Sequence, residues 1–181
     1  KNRLMNTAVV FQNGQILSVI PKTWLPNYGE FYEKRWFSSS MEVTTDKVTI
    51  CGKTVPYGTN ILFKNGDVCI GVEICEDLWM PVPPSSYHAL NGANILFNLS
   101  ASNELVAKNN YRRQLVMQQS TRCISAYIYT SSGFGESTTD VVFAGNAEIV
   151  ENGKIMAESE RFSMENQLIF ADIDVERLDN D

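Results

Sequence analysis

One stretch constrains this chain more than any other. Val68-Cys69-Ile70-Gly71-Val72-Glu73-Ile74 is a near-continuous apolar run that ends at Cys75. A run without an alternating polar face reads as a strand buried on both sides, inside a sheet covered by further layers. Residues 93–100 have the same character and predict an adjacent central strand. After Cys75 come Glu76 and Asp77, then Leu78-Trp79 and the proline-rich Met80-Pro81-Val82-Pro83-Pro84. The chain must turn sharply there, and a cysteine at the end of a core strand is well placed to be a nucleophile. Glu73, Glu76 and Asp77 oppose that role, because nearby negative charge raises a thiol pKa and suppresses the thiolate. Chemistry at Cys75 therefore requires a cation from elsewhere in the chain.

The rest of the pattern is a mixture of hairpins and strand–helix–strand units. Residues 7–12 and 15–20 read as strands joined by Asn13-Gly14, a type I′ turn signal. Residues 47–51, 54–57 and 61–65 are short strand candidates, and 87–91 looks helical with Gly92 as its C-cap. The longest helical candidate is 105–123, with Val106, Leu115, Val116 and Gln119 on one face and Arg112 and Arg113 on a solvated one. Residues 124–131 read as a strand, 139–150 and 154–159 as a hairpin across Asn152-Gly153, and 166–174 as a late strand. The mixture predicts an α/β (α+β by some schemes) layered fold, read as a single domain over residues 1–181.

A net charge of −6, from 15 Lys and Arg against 21 Asp and Glu, argues against nucleic-acid binding. No apolar run approaches a membrane span, and the first residues lack a signal-peptide pattern. The four cysteines form no CxxC pair, so they read as reduced thiols of a cytoplasmic protein, with Cys51, Cys69 and Cys123 as packing residues. One histidine and scattered cysteines supply no metal-ligand spacing. That histidine, His88, reads as a helix-surface residue rather than the base of a Cys-His hydrolase.

The best candidate for the cation is Lys22, directly after the second strand. It opens the stretch Lys22-Thr23-Trp24-Leu25-Pro26-Asn27-Tyr28-Gly29-Glu30-Phe31-Tyr32-Glu33-Lys34-Arg35-Trp36-Phe37. This lysine, the Leu-Pro-Asn-Tyr block and the strand-end Cys75 together resemble the nitrilase (carbon–nitrogen hydrolase) superfamily. Glu76-Asp77-Leu78-Trp79, Asn98-Leu99-Ser100-Ala101-Ser102 and the block from Gly133 to Gly145 are similar to one branch of it. In that branch the domain hydrolyses glutamine to feed ammonia to an NAD⁺-forming synthetase.

The resemblance implies an α-β-β-α sandwich of two mixed sheets with helices outside, here incomplete. It implies a Glu-Lys-Cys triad: Cys75 attacks the side-chain amide of L-glutamine, ammonia leaves, and water hydrolyses the thioester. Lys22 stands beside the thiolate, and the Glu76 backbone N–H completes an oxyanion hole. Glu30 or Glu33 supplies a second carboxylate supporting the lysine, with Glu30 favoured. Tyr28, Glu76 and Ser102 contact the substrate, and Trp79 walls the pocket. The family's general-base glutamate precedes the lysine by many tens of residues. Residues 1–20 hold no Glu or Asp, so the base lies outside this sequence. The resemblance further implies a synthetase domain in the parent chain, which alone would need ATP and Mg²⁺. It also implies no cofactor in this domain, and self-association into a homo-oligomer. Two other readings stand beside it. One is a nitrilase-family amidase or carbamoylase acting on another small amide. The other is an inactive fragment that serves only as an associating module.

Overall fold

The computed structural model describes residues 3–181. Its frame is a six-stranded mixed sheet in the order β10-β9-β8-β7-β6-β5. The central strands are β6 (Val68–Ile74), β7 (Ile95–Ser100) and β8 (Ala126–Ser131), parallel to one another. They are adjacent and central, as the two apolar runs predict. Antiparallel strands flank them: β5 (Phe63–Asn65) on one side, and β9 (Ala147–Glu151) with β10 (Lys154–Glu158) on the other.

Parallel neighbours need crossovers, and two helices provide them. Helix α1 (Pro84–Leu90) joins β6 to β7, and α2 (Lys108–Cys123) joins β7 to β8. Pro84 starts α1 at a position where its missing N–H costs nothing. The helix ends at Gly92, φ +90°, where Gly92 N–H donates to Ala89 O and Ala93 N–H to His88 O. That double bond pattern closes the helix and confirms the expected cap. Gln119 Nε2 donates to Ser85 Oγ and Ser86 Oγ, both at 3.0 Å, and ties α2 to α1.

Strand alternation sends each apolar run to two cores. Cys69, Leu96, Tyr127 and Tyr129 face the helices and pack with Leu78, Val116 and Val150. Val72, Ile74 and Phe97 face the other way, onto Ala8 and Ile20. Those last residues belong to the hairpin β1 (Thr7–Gln12) and β2 (Gln15–Pro21), joined by Asn13-Gly14 with both residues at positive φ, as a type I′ turn demands. A second small hairpin, β3 (Lys47–Ile50) and β4 (Lys53–Pro56), extends this layer through a parallel bridge from Val19 to Tyr57. The layers are therefore helix, sheet and hairpin, the incomplete sandwich expected. The second sheet is represented among the described residues by two hairpins.

Several local expectations change. Residues 166–174 form no strand, and Leu168 and Phe170 stand 77% exposed. The apolar run Leu168-Ile169-Phe170-Ala171 is there, but a strand needs a ladder partner, and no described strand pairs with it. Residues 139–146 stay irregular, and β9 begins at Ala147. Helix α2 starts at Lys108, which leaves Val106 fully outside the core. Cys51 sits exposed in the turn between β3 and β4 rather than in packing. Helix α3 (Val175–Asn180) closes the chain, with Asp174 accepting from the Arg177 N–H.

His88 is buried rather than on the surface, with Nε2 2.7 Å from Thr59 O. Room for its ring exists because position 71 in β6 is glycine: a Cβ there would lie 2.7 Å from His88 Nδ1 and 2.8 Å from Cγ. We predict that Gly71→Ala destabilises the fold by about 1–3 kcal/mol through overpacking of a ring held on both sides. Chemical denaturation checks this; an unchanged midpoint would show that the ring can move aside.

Candidate active site

The site forms where β6 ends. Cys75 is the first residue of a single 3₁₀ turn, Cys75–Trp79, and has φ +48°. A non-glycine residue in that left-handed region carries strain of order 1–3 kcal/mol, so the surroundings must impose it. Two buried side chains do. Asn98 on β7 accepts the Cys75 N–H at 3.0 Å, and its Nδ2 reaches the Cys75 carbonyl at 3.4 Å and Tyr127 Oη at 3.1 Å. Asp77 accepts the Ile74 N–H at 3.0 Å with one oxygen. With its other oxygen it accepts the Trp24 N–H at 2.8 Å and the Thr23 N–H at 3.2 Å. One carboxylate thus fastens the cysteine turn to the chain just after Lys22.

Lys22 follows β2 and is 1% exposed. Its Nζ donates to both Glu33 oxygens, at 2.9 and 2.8 Å. The carboxylate on Lys22 is therefore Glu33, not the favoured Glu30. A short 3₁₀ turn, Glu33–Arg35, brings it round. Lys22, Glu33 and Cys75 line one cavity, closed by Ala8, Ile74 and Leu99. The sought-for cation therefore reaches the cysteine's surroundings.

Cys75 also lines a second cavity of about 280 Å³, with Tyr28, Glu30, Glu76, Trp79, Ser102 and Lys108. All the expected substrate-contact residues meet here. Tyr28 Oη donates to Glu76 at 2.9 and 3.1 Å. Glu30 accepts from Asn103 Nδ2, and Lys108 Nζ donates to Asn103 Oδ1. The Lys108 ammonium stands 5.6 Å from the Phe31 ring centre and 5.5 Å from that of Trp79. Trp79 in turn stacks on Tyr111 at 5.5 Å. Sequence reasoning missed Lys108 and Asn103: Lys108 falls within the helical candidate 105–123, off the apolar face that was read there, and Asn103 lies in the loop before it.

The model of a family described as carbon-nitrogen hydrolase matches residues 1–180. The chain belongs to the carbon-nitrogen hydrolase family. It is 43% identical to the glutamine-dependent NAD(+) synthetase of Mycobacterium tuberculosis over 98% of its own length, and covers 26% of that relative. It also superposes on a glutamine-dependent NAD(+) synthetase from Cytophaga hutchinsonii with a TM-score of 0.77 at 29% identity, over 90% of this chain and 26% of that one. A carbon-nitrogen hydrolase from Helicobacter pylori shares the fold, with a TM-score of 0.74 at 22% identity over 97% of this chain and 59% of that one. The chain thus spans about a quarter of the length of the synthetases it matches.

A nucleophilic Cys75 would have to coexist with its acidic neighbours. Three features lighten that burden. Glu73 faces the helix side of β6, where it accepts from Tyr127 Oη and the Ser85 N–H. Burial pushes its carboxyl up toward the neutral form, against those donors. Burial also pushes up Glu76, although the Tyr28 hydroxyl and Lys22 pull it back. Asp77 rises from 3.8 to about 7, chiefly by burial, against the Trp24 and Ile74 N–H groups that favour its charge.

The raised Asp77 pKa makes the stability of the fold depend on pH. Between about pH 4 and 7 the folded carboxyl keeps a proton that the unfolded chain has released. Its contribution to stability is full below that window and is lost as pH rises through about 7. We predict a carbon-13 NMR midpoint near 7 for the Asp77 carboxyl; a midpoint near 4 would mean that the N–H donors outweigh burial.

Proposed function

We propose that this chain is the glutamine-hydrolysing domain of a protein that makes NAD⁺ with the ammonia released. The observation that carries the reading is the pairing of two cavities on one cysteine. One holds Lys22 and Glu33, and the other is lined by groups suited to a free amino acid. The Glu76 carboxylate, backed by Tyr28, is the partner for an ammonium group, and a bound ammonium would restore its charge. Lys108 and the Ser102 hydroxyl are the partners for a carboxylate. Trp79 and Phe31 cover the aliphatic stem.

The reaction then runs in two halves. A carboxylate base takes the Cys75 thiol proton, and the thiolate sulfur attacks the side-chain amide carbon. The carbonyl electrons move onto oxygen, which the Lys22 ammonium and the Glu76 N–H stabilise; the first N–H groups of a 3₁₀ turn lack acceptors within it. The proton passes to nitrogen, the C–N bond breaks, and ammonia leaves a thioester on Cys75. Water, deprotonated by the same base, attacks that thioester, releases glutamate and returns the proton to sulfur. Glu33 is held by Lys22 through two bonds. We assign it to keeping the lysine charged and oriented, with the base supplied from outside the described residues. The chain alone is accordingly expected to be inactive. The reaction uses side chains and water, and ATP and Mg²⁺ belong to the synthetase step.

The same reading places the protein in the cytoplasm. Among the described residues no helix is long and apolar enough to cross a membrane, and all four cysteines are free thiols. Leu168 and Phe170, exposed on a segment without a strand partner, support association into a homo-oligomer.

In the complete protein, Cys75→Ser is expected to cut glutamine-dependent ammonia release by about 10³-fold or more and to leave ammonia-driven NAD⁺ synthesis intact. Retained release would remove Cys75 from the mechanism. Glu76→Gln distinguishes glutamine from another small amide. Losing a charged hydrogen bond of about 1.5–3 kcal/mol should raise KM for glutamine roughly 10- to 100-fold. Simple ω-amides without an ammonium group should show little change. An equal loss for both would favour the general amidase reading.

A further inference from the structure

The chain between β7 and α2, residues 101–107, carries Ser102, Asn103 and Leu105 to the rim of the proposed amino-acid pocket. Its conformation is not one that its own backbone favours. Ala107 has φ +66° without being glycine, and α2 begins there without a side-chain cap. Something outside the segment has to hold it.

Glu104 meets that need. Its side chain is 7% exposed, and it is the shared centre of an ion triad. One oxygen accepts from Arg112 Nη2 at 2.7 Å and the other from Arg161 Nη2 at 2.8 Å. Its backbone N–H donates to Val142 O at 2.8 Å. Arg112 is completely buried, which corrects its reading as a solvated helix residue; it also donates to Asn109 Oδ1 at 2.9 Å and lies 5.9 Å from the Tyr129 ring centre. Arg161 comes from the chain that follows β10, far away in sequence, and its guanidinium covers Phe162 at 5.0 Å. The three charges thus fix the loop against α2, the sheet and the segment after β10 at once. One residue before Glu104, Asn103 bridges Glu30 and Lys108 across the pocket.

We propose that the Arg112–Glu104–Arg161 triad is a positioning device for substrate binding, in which Arg161 sets the loop that holds Ser102 and the Glu30–Asn103–Lys108 bridge at the pocket. None of the three lines the pocket or the cysteine cavity, so they act through the loop. The inference rests on the glutaminase reading. Its consequence is specific: loosening the triad should weaken the grip on the amino-acid end of the substrate and spare the chemistry at Cys75, which is anchored separately by Asn98 and Asp77.

Arg161 is the member to change, because it is 30% exposed whereas Arg112 is fully enclosed. In the complete protein, Arg161→Met is expected to raise KM for glutamine about tenfold with kcat within about twofold of wild type, as when a binding loop gives up one charged hydrogen bond. Arg161→Lys, which keeps the charge, should recover most of the KM. Ammonia-driven synthesis should not change, and hydrogen exchange should quicken in residues 101–107 while β7 stays protected. A lowered melting temperature with KM unchanged would make the triad merely structural and overturn the proposal. So would a fall in kcat at unchanged KM. If Arg161→Met fails to fold, Glu104→Gln, isosteric and uncharged, takes its place with the same expected KM rise and the same overturning results. A wild-type protein that releases no ammonia from glutamine would instead overturn the glutaminase reading, and this inference with it.

Discussion

Everything at the site depends on holding one cysteine in a backbone conformation it does not favour. Left to itself, Cys75 at φ +48° would relax toward the strand it terminates or the helical region beyond. Asn98 prevents this from the neighbouring strand by accepting its N–H, and Asn98 is itself fixed by Tyr127. Asp77 prevents it from the following turn. A buried side chain that accepts three backbone N–H groups cannot shift without stranding donors, at roughly 1–3 kcal/mol each. The same carboxylate collects the Trp24 and Thr23 N–H groups. The position of Lys22 relative to Cys75 is thus set by a third residue that belongs to neither cavity.

The layering makes that arrangement possible. Because β6 is covered on both faces, its residues divide by alternation into two environments. Glu73 goes to the helix side, among Tyr127 and Ser85. Val72 and Ile74 go to the hairpin side, where β2 delivers Lys22. Cys75 comes at the point where alternation stops and the chain turns. A charge that looks adjacent in sequence is therefore on the far side of the sheet, and burial shifts it toward neutrality. For Glu73 the conflict with a reactive thiol exists in the one-dimensional pattern only; Glu76 shares a cavity with Cys75, and there the Tyr28 hydroxyl and Lys22 act on its carboxylate.

The frame was legible because its signals were local and strong: two apolar runs for β6 and β7, Asn-Gly turns for β1–β2 and β9–β10, a glycine cap for α1. Cys75, Lys22 and the tyrosine and serine of the pocket were legible through their motif blocks. What escaped depended on partners. His88 and Arg112 read as surface residues, since a lone histidine or a helix arginine is solvated by default. Each is buried because a specific acceptor awaits it, Thr59 O for one and Glu104 for the other. The choice of Glu33 over Glu30 rests on a single 3₁₀ turn that spacing does not specify. Lys108 reaches the pocket through a left-handed Ala107, which has no compositional mark. Residues 166–174 have the apolar run of a strand, but a run cannot supply a neighbour.

The central claim is that Lys22 makes Cys75 a selective nucleophile toward an amino-acid amide. It is tested most directly by incubating the complete protein with an electrophilic glutamine analogue and mapping the adduct by mass spectrometry. Cys51, exposed in its β-turn, is an internal control for indiscriminate thiol chemistry. The account predicts labelling at Cys75 with Cys51 spared, and labelling slowed about tenfold or more by Lys22→Met, since the variant removes the ammonium that stabilises negative charge developing at the site. Preferential labelling of Cys51, or an unchanged rate in Lys22→Met, would contradict it.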